Sequence, residues 1–183
     1  MLRILFSLVL SCLIIGSGIL FAETKEQKPL RVKYVHLPDE AKTQISCLAD
    51  NIYFESAHEP TKGKIAVAFV TLNRKNHHRY PDTICGVVKQ RTQRVCQFSW
   101  YCEERPYSMY KNKVLTKTNN KLYNEIVELS TYVYFNYEMM EDPSDGALFY
   151  HADYVNPQWK NMIRTAVIGR HIFYQRSDLN ART

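Results

Sequence analysis

Ile45, Leu48, Ala49, Ile52 and Tyr53 recur at the i, i+3, i+4, i+7, i+8 spacing that gathers apolar side chains on one helix face. The stripe opens just after Pro38, and Asp39 stands where a helix cap is expected. Glu55 falls on the same stripe, one turn beyond Ile52, and not on the solvated face. Burial there would disfavour the charged carboxylate and raise its pKa, which is what a general acid working near neutral pH requires. If the helix instead ends near Glu55, then Glu55 and Glu59 both face water, as most glutamates do. Periodicity alone leaves the two readings even.

Other segments extend the helical pattern. Pro60 and Gly63 punctuate the chain, and the run Ile65 to Leu72 is apolar on every side. Two alanines interrupt its β-branched residues, which favours a buried helix continuing through Asn73 and Arg74 over a strand. Lys75 to Pro81 reads as a basic loop, Thr83 as the cap of a short helix reaching Val88, and Lys89 to Arg105 as irregular. From Asn119 to Tyr137, Leu122, Ile126, Leu129 and Val133 form a second amphipathic stripe. Asp142 to Gly146 reads as a turn. Ala147 to His151 and Ala166 to Tyr174 are expected as short strands, with a helical turn around Trp159 to Met162 between them. At 183 residues one domain is expected, a small helix-dominated α+β fold with a minor antiparallel sheet.

The amino terminus bears on location. After Arg3, no charge appears from Ile4 to Ala22, and a polar run follows. This is a secretory signal pattern, with an uncleaved anchor as its rival because a membrane span needs about 20 apolar residues. The expected organisation is a signal segment at 1–22, a flexible lead at 23–38, a catalytic domain at 39–177 and a tail at 178–183. Export to the periplasm or cell envelope follows, with membrane contact only through that first segment if it is retained. Without Arg3 the chain keeps 23 basic against 18 acidic residues. These are scattered and accompany no nucleic-acid motif, so an anionic envelope polymer is the expected partner and nucleic acid is not. A monomer is expected.

Removal of Cys12 with the signal leaves Cys47, Cys85, Cys96 and Cys102, an even number that reads as two disulfides in an exported chain. Three pairings are open. The short segment between Cys96 and Cys102 could close on itself, which would leave Cys47 with Cys85. Zinc is the competing use, since His58, His77, His78, His151 and His171 are present. There is no Cys-x-x-Cys, however, and His58-Glu59 lacks the second histidine of the metalloprotease spacing, so neither metal nor cofactor is expected.

Several strings together resemble one family: NIYFESAHEP at 51–60, GKIAVAFVTLNR at 63–74, YPDTICGVV at 80–88 and CQFSW at 96–100. Phe149-Tyr150-His151, Pro157-x-Trp159 and the stretch from Ile168 to Tyr174 agree with its carboxyl-terminal part. The family is the bacterial cell-wall hydrolases of the SleB, spore-cortex-lytic type, and the resemblance runs in order over roughly residues 44 to 175. It implies a lysozyme-like domain cutting the bond between N-acetylmuramic acid and N-acetylglucosamine in peptidoglycan glycan strands, with Glu55 as the catalytic acid. The family's usual Ala-Arg-Gly between two glutamates is Ser56-Ala57-His58 here, and Glu103-Glu104 replaces a usual Asp-Gly.

Most glycosidases that use water need two carboxylates. A lytic transglycosylase manages with one, because the muramic acid's own C6 hydroxyl is the nucleophile and closes a 1,6-anhydro ring. That is the expected reaction. Glu59, one turn after Glu55, cannot easily reach the opposite face of a sugar and reads as a structural or tuning residue. Gln97, Ser99, Trp100, Tyr150 and His151 are the candidate substrate contacts, Trp100 through a flat face for sugar stacking. Each has a plainer reading in the core or against a disulfide, and His171 reads as structural. The competing functions are a muramidase using water, a non-catalytic glycan-binding module, and a Cys/His amidohydrolase cutting the stem peptide.

Overall fold

The computed structural model describes residues 28–93, 95–102 and 120–177. The helices are α1 (Asp39–Ser56), α2 (Thr61–Asn76), α3 (Ile84–Val88), α4 (Ser99–Cys102) and α5 (Asn120–Asn136). The strands are β1 (Phe149–Ala152), β2 (Met162–Ile168) and β3 (His171–Arg176). Among the described residues no helix is long and apolar enough to cross a membrane. The expected signal segment, 1–22, lies outside them, as do Glu103-Glu104 and the tail.

Helix α1 forms where the stripe predicts it, but Pro38 occupies the N-cap position and Asp39 is the first helical residue. The acidic pair Asp39 and Glu40 in the first turn suits the positive end of the helix dipole. Ile45, Leu48, Ala49 and Ile52 are wholly buried. Each large aliphatic side chain among them contributes about 1.5–3 kcal/mol by leaving water. Leu48→Ala would cost about 2–5 kcal/mol.

Helix α2 starts directly after Pro60 and takes Gly63 inside it, so this glycine does not break the chain. An added Cβ at Gly63 would stand 3.2 Å from the Cβ of Glu59, a contact the small residue avoids. The helix is apolar all round because it serves two cores. Ala68, Phe69 and Leu72 join the helical core with Leu48, Ile52, Ile84, Val87 and Ile126. Ala66, Val67 and Val70 meet Ala147 and Phe173 beneath the sheet.

The sheet has the order β1-β3-β2 and is antiparallel throughout. The stretch expected as a single strand from Ala166 to Tyr174 is in fact a hairpin. Gly169, at φ 58°, turns the chain between β2 and β3, a backbone region that suits glycine. Likewise there is no helical turn at Trp159 to Met162, since β2 begins at Met162. The Asp142 turn is as expected: its carboxylate accepts from the Ser144 amide and hydroxyl and from the Gly146 amide at 2.7–2.8 Å. Thr83 caps α3, its hydroxyl accepting from the Gly86 amide at 3.0 Å.

Among the described residues there are two disulfides. Cys47–Cys85 clips α1 to α3, and Cys96–Cys102 closes the loop that leads into α4. The segment expected as the end of a free lead is instead docked. The Leu30 amide donates to Asn136 Oδ1 at 2.6 Å, the Asn136 amide returns a bond to the Leu30 carbonyl at 3.0 Å, and Leu37 is buried.

Candidate active site

The last turn of α1 presents Glu55 toward β1. The Tyr150 hydroxyl, on β1, donates to Glu55 Oε2 at 3.0 Å. Burial, then the negative charge of Glu55, pushes the Tyr150 pKa well above its ordinary value, with Arg74 opposing. Tyr150 therefore stays protonated and acts as a donor. Its ring is held edge-on to His171 at 5.2 Å and lies 5.7 Å from Phe173.

One turn before Glu55, the fully buried Asn51 ties three elements together. Its amide donates to Thr71 Oγ1 of α2 at 3.1 Å, while its Oδ1 accepts from Trp100 Nε1 of α4 at 3.3 Å. Trp100 in turn stacks on Phe54, centroids 4.6 Å apart and planes at 21°. The indole is thus tied to the last turns of α1 by a hydrogen bond to Asn51 and a ring contact with Phe54.

Arg74, at the carboxyl end of α2, is 4% exposed. Its Nε donates to the Leu148 carbonyl at 2.8 Å, and its guanidinium lies 5.3–5.9 Å from the centroids of Tyr80, Phe98 and Phe149. With its amide oxygen turned inward, Gln97 accepts from Arg74 Nη1 and Nη2 at 3.2 and 3.3 Å. Burial lowers the Arg74 pKa, and Tyr80, Tyr150 and Glu55 oppose that shift. An arginine nonetheless keeps its proton. Asn73 adds a bond from its amide to the Ala147 carbonyl at 3.1 Å, so the end of α2 grips the chain just before Tyr150.

The structure therefore gathers Glu55, Tyr150, Trp100 and Gln97 around one end of α1 and α2. Ser99 is exposed at the start of α4. His151 is not brought to Glu55. As the next residue on β1 it projects from the other side of the sheet, where Nε2 pairs with the Tyr174 hydroxyl at 3.0 Å. Glu59 is occupied: its Oε2 accepts from the Arg170 amide at 2.9 Å and its carbonyl accepts from Lys64 Nζ. Asp153 pairs with Arg170 at 3.4 Å, and Asp82 is exposed beside the Thr83 cap. Sequence reasoning missed Asn51 and Arg74. Their signals were a polar side chain within, or closing, an otherwise apolar helix run and a place at the edge of a family-like string. Among the described residues, no group of three or more His, Cys, Asp or Glu could hold a metal ion.

A helix-dominated α+β domain carrying a carboxylate at the end of its first long helix, facing a small sheet, has the lysozyme-like architecture that the motifs imply. Residues 58–174 match the Cell Wall Hydrolase family, and the chain belongs to it. The matched span begins just after Glu55. The spore cortex-lytic enzyme of Bacillus cereus is 37% identical over 65 residues, 35% of this chain and 25% of that protein. The spore cortex-lytic enzyme of Halalkalibacterium halodurans is 28% identical over 133 residues, 70% of this chain and 34% of that one. The chain thus matches a quarter to a third of the length of these curated relatives. A solved structure, the catalytic domain of the germination-specific lytic transglycosylase SleB from Bacillus anthracis, superposes with a TM-score of 0.50 at 25% identity. It covers 76% of this chain and 100% of that one.

Proposed function

We propose that this protein is an exported peptidoglycan-cleaving lytic transglycosylase acting between N-acetylmuramic acid and N-acetylglucosamine, with Glu55 as both acid and base. Glu55 protonates the glycosidic oxygen as the bond from the muramic C1 breaks. The C6 hydroxyl oxygen of the same sugar then bonds to C1, and its proton passes to Glu55. The acid is regenerated, a 1,6-anhydro ring forms, and no water is consumed.

The observation that carries this reading is the Tyr150 to Glu55 hydrogen bond, which joins a carboxylate of α1 to the sheet and fixes its direction. The other nearby acids support a one-carboxylate reaction. Glu59 is committed to the β2–β3 turn, and Asp50 is buried with the Tyr123 hydroxyl 2.6 Å away. Family membership and the description of the SleB structure from Bacillus anthracis as a lytic transglycosylase point the same way. Trp100, held by Asn51 and Phe54 at the end of α1, offers a ring for sugar stacking, and Gln97 braces the Arg74 guanidinium.

The test is fragment release from peptidoglycan sacculi, read by mass spectrometry, with Glu55→Gln alongside. Anhydro fragments, one water lighter than ordinary disaccharide-peptides and absent with Glu55→Gln, are expected. Reducing muramic ends would make the protein a muramidase, and undiminished release by Glu55→Gln would remove Glu55 from the chemistry.

A further inference from the structure

The outer side of the sheet carries a second set of aromatic residues that the Glu55 chemistry does not use. Tyr150 points inward to Glu55, whereas His151 of β1 and Tyr174 of β3 point outward, and Phe149, at the start of β1, reaches both the buried Arg74 guanidinium and Trp159. His151 and Tyr174 stack at 5.2 Å with planes 17° apart. Trp159 stands upright on this floor. Its ring is at 89° to Tyr174 and 75° to His151, with centroids 6.0 and 5.5 Å away, and it also meets the edge of Phe149. Despite three ring contacts Trp159 remains 44% exposed.

Two hollows border this fin. One, of about 390 Å³, is bordered by His151, Asp153, Asn156 and Tyr174. The other, of about 400 Å³, is bordered by Phe149, Gln158, Lys160 and Arg176. Both are lined by Trp159 and Met162. The two hollows differ in chemistry: the first offers neutral and acidic hydrogen-bonding groups, the second two cationic side chains.

We propose that Trp159 and its two hollows form an accessory binding site for an uncleaved glycan strand whose sugars alternate between neutral and carboxylate-bearing. Each indole face stacks on the apolar face of a sugar ring. Hydroxyl and amide groups of the neutral sugar meet Asn156 and Asp153, and the carboxylate-bearing substituent of its neighbour meets Lys160 and Arg176. Charge complementarity selects this occupant over a neutral polysaccharide. The identity of the polymer rests on the proposed function, but the site does not share the Glu55 face and its binding is independent of cleavage. It would hold the protein on the wall between cuts.

The experiment measures retention of the full chain on purified sacculi in the Glu55→Gln background, so that binding is read without cleavage. Adding Trp159→Ala is expected to weaken retention about tenfold, or about 1.4 kcal/mol. Trp159→Phe should restore much of it, and Lys160→Gln should weaken retention and reduce its sensitivity to salt. With Glu55 intact, Trp159→Ala should still cut short soluble glycan fragments at the parental rate. Retention unchanged by Trp159→Ala would overturn the site, as would equal loss of cutting on short fragments, which would assign Trp159 to the Glu55 cleft. A concentration-dependent dimer abolished by Trp159→Ala would overturn it too, by making this face a contact between two copies. If Trp159→Ala lowers the melting temperature, Trp159→Phe decides: normal melting without regained retention counts against the site.

Discussion

The Arg74 side chain donates to the Leu148 carbonyl at 2.8 Å, two residues before the tyrosine that donates to Glu55. A buried cation thereby sets the entry of β1, and β1 sets the acid. Arg74→Lys keeps the charge but loses the Nε donor and the planar fork. An unsatisfied buried carbonyl costs about 1–3 kcal/mol. The variant is expected to melt several degrees lower and to cut sacculi more slowly, as checked by calorimetry and fragment release. Parental values in both would show that the Leu148 contact positions nothing.

Tyr150→Phe removes a hydroxyl and leaves the ring packed on Phe173 and His171. A hydrogen bond to a charged group is worth about 1.5–3 kcal/mol, which corresponds to a loss of roughly ten- to a hundredfold in rate. In the proposed reaction the loss should fall on kcat with KM little changed, because the hydroxyl directs Glu55 and is given no part in holding glycan. Steady-state kinetics on soluble glycan fragments separates the two.

Gly169 and Glu59 form one unit. A methyl group at Gly169 would strike Glu59 Oε2, and the backbone there is at φ 58°. Gly169→Ala is expected to destabilise the domain by about 1–2 kcal/mol, from left-handed backbone cost and the clash. Glu59→Gln keeps an acceptor for the Arg170 amide and should leave fragment release within about twofold of the parent. A large loss with Glu59→Gln would promote Glu59 to a chemical role.

His171 makes stability depend on pH. It is 7% exposed, and its Nδ1 has no hydrogen-bond partner among the described residues. Burial holds its pKa below the ordinary value, with Glu59 and Asp153 opposing and His151 assisting. Above about pH 6.5 both folded and unfolded chains hold it neutral, and its contribution is complete. As pH falls below that value the unfolded chain takes the proton first, so stability drops until the folded pKa is passed. Urea midpoints at pH 7.5 and 5.5 should fall more for the parent than for His171→Phe.

The long helices were legible because their apolar spacing is strong: the stripe from Ile45 to Tyr53 and that from Leu122 to Val133 each predict the element found. The run at Ile65 to Leu72 was correctly a helix, yet its two-sided burial needed the sheet, whose Phe173 lies a hundred residues away. The hairpin was missed because Ile168-Gly169-Arg170-His171 reads as a continuous strand unless the left-handed glycine is known. Glu55 lay on the apolar stripe, but periodicity left its two readings even, and only the family-like strings singled it out. Arg74 did not stand out, since a basic residue closing a helix is ordinary and its aromatic surroundings come from three separate segments. Tyr150 and His151, adjacent in sequence, read as one site although strand alternation separates them.

The disulfide between Cys47 and Cys85 spans 38 positions and joins the helix that bears Glu55 to α3. In the chain-entropy account, closing a loop of that length stabilises a fold by about 4 kcal/mol, a large share of the roughly 5–15 kcal/mol that holds a domain together. A newly made chain kept reduced lacks that contribution. The helix that bears Glu55 therefore reaches its full rigidity only once these two thiols are oxidised.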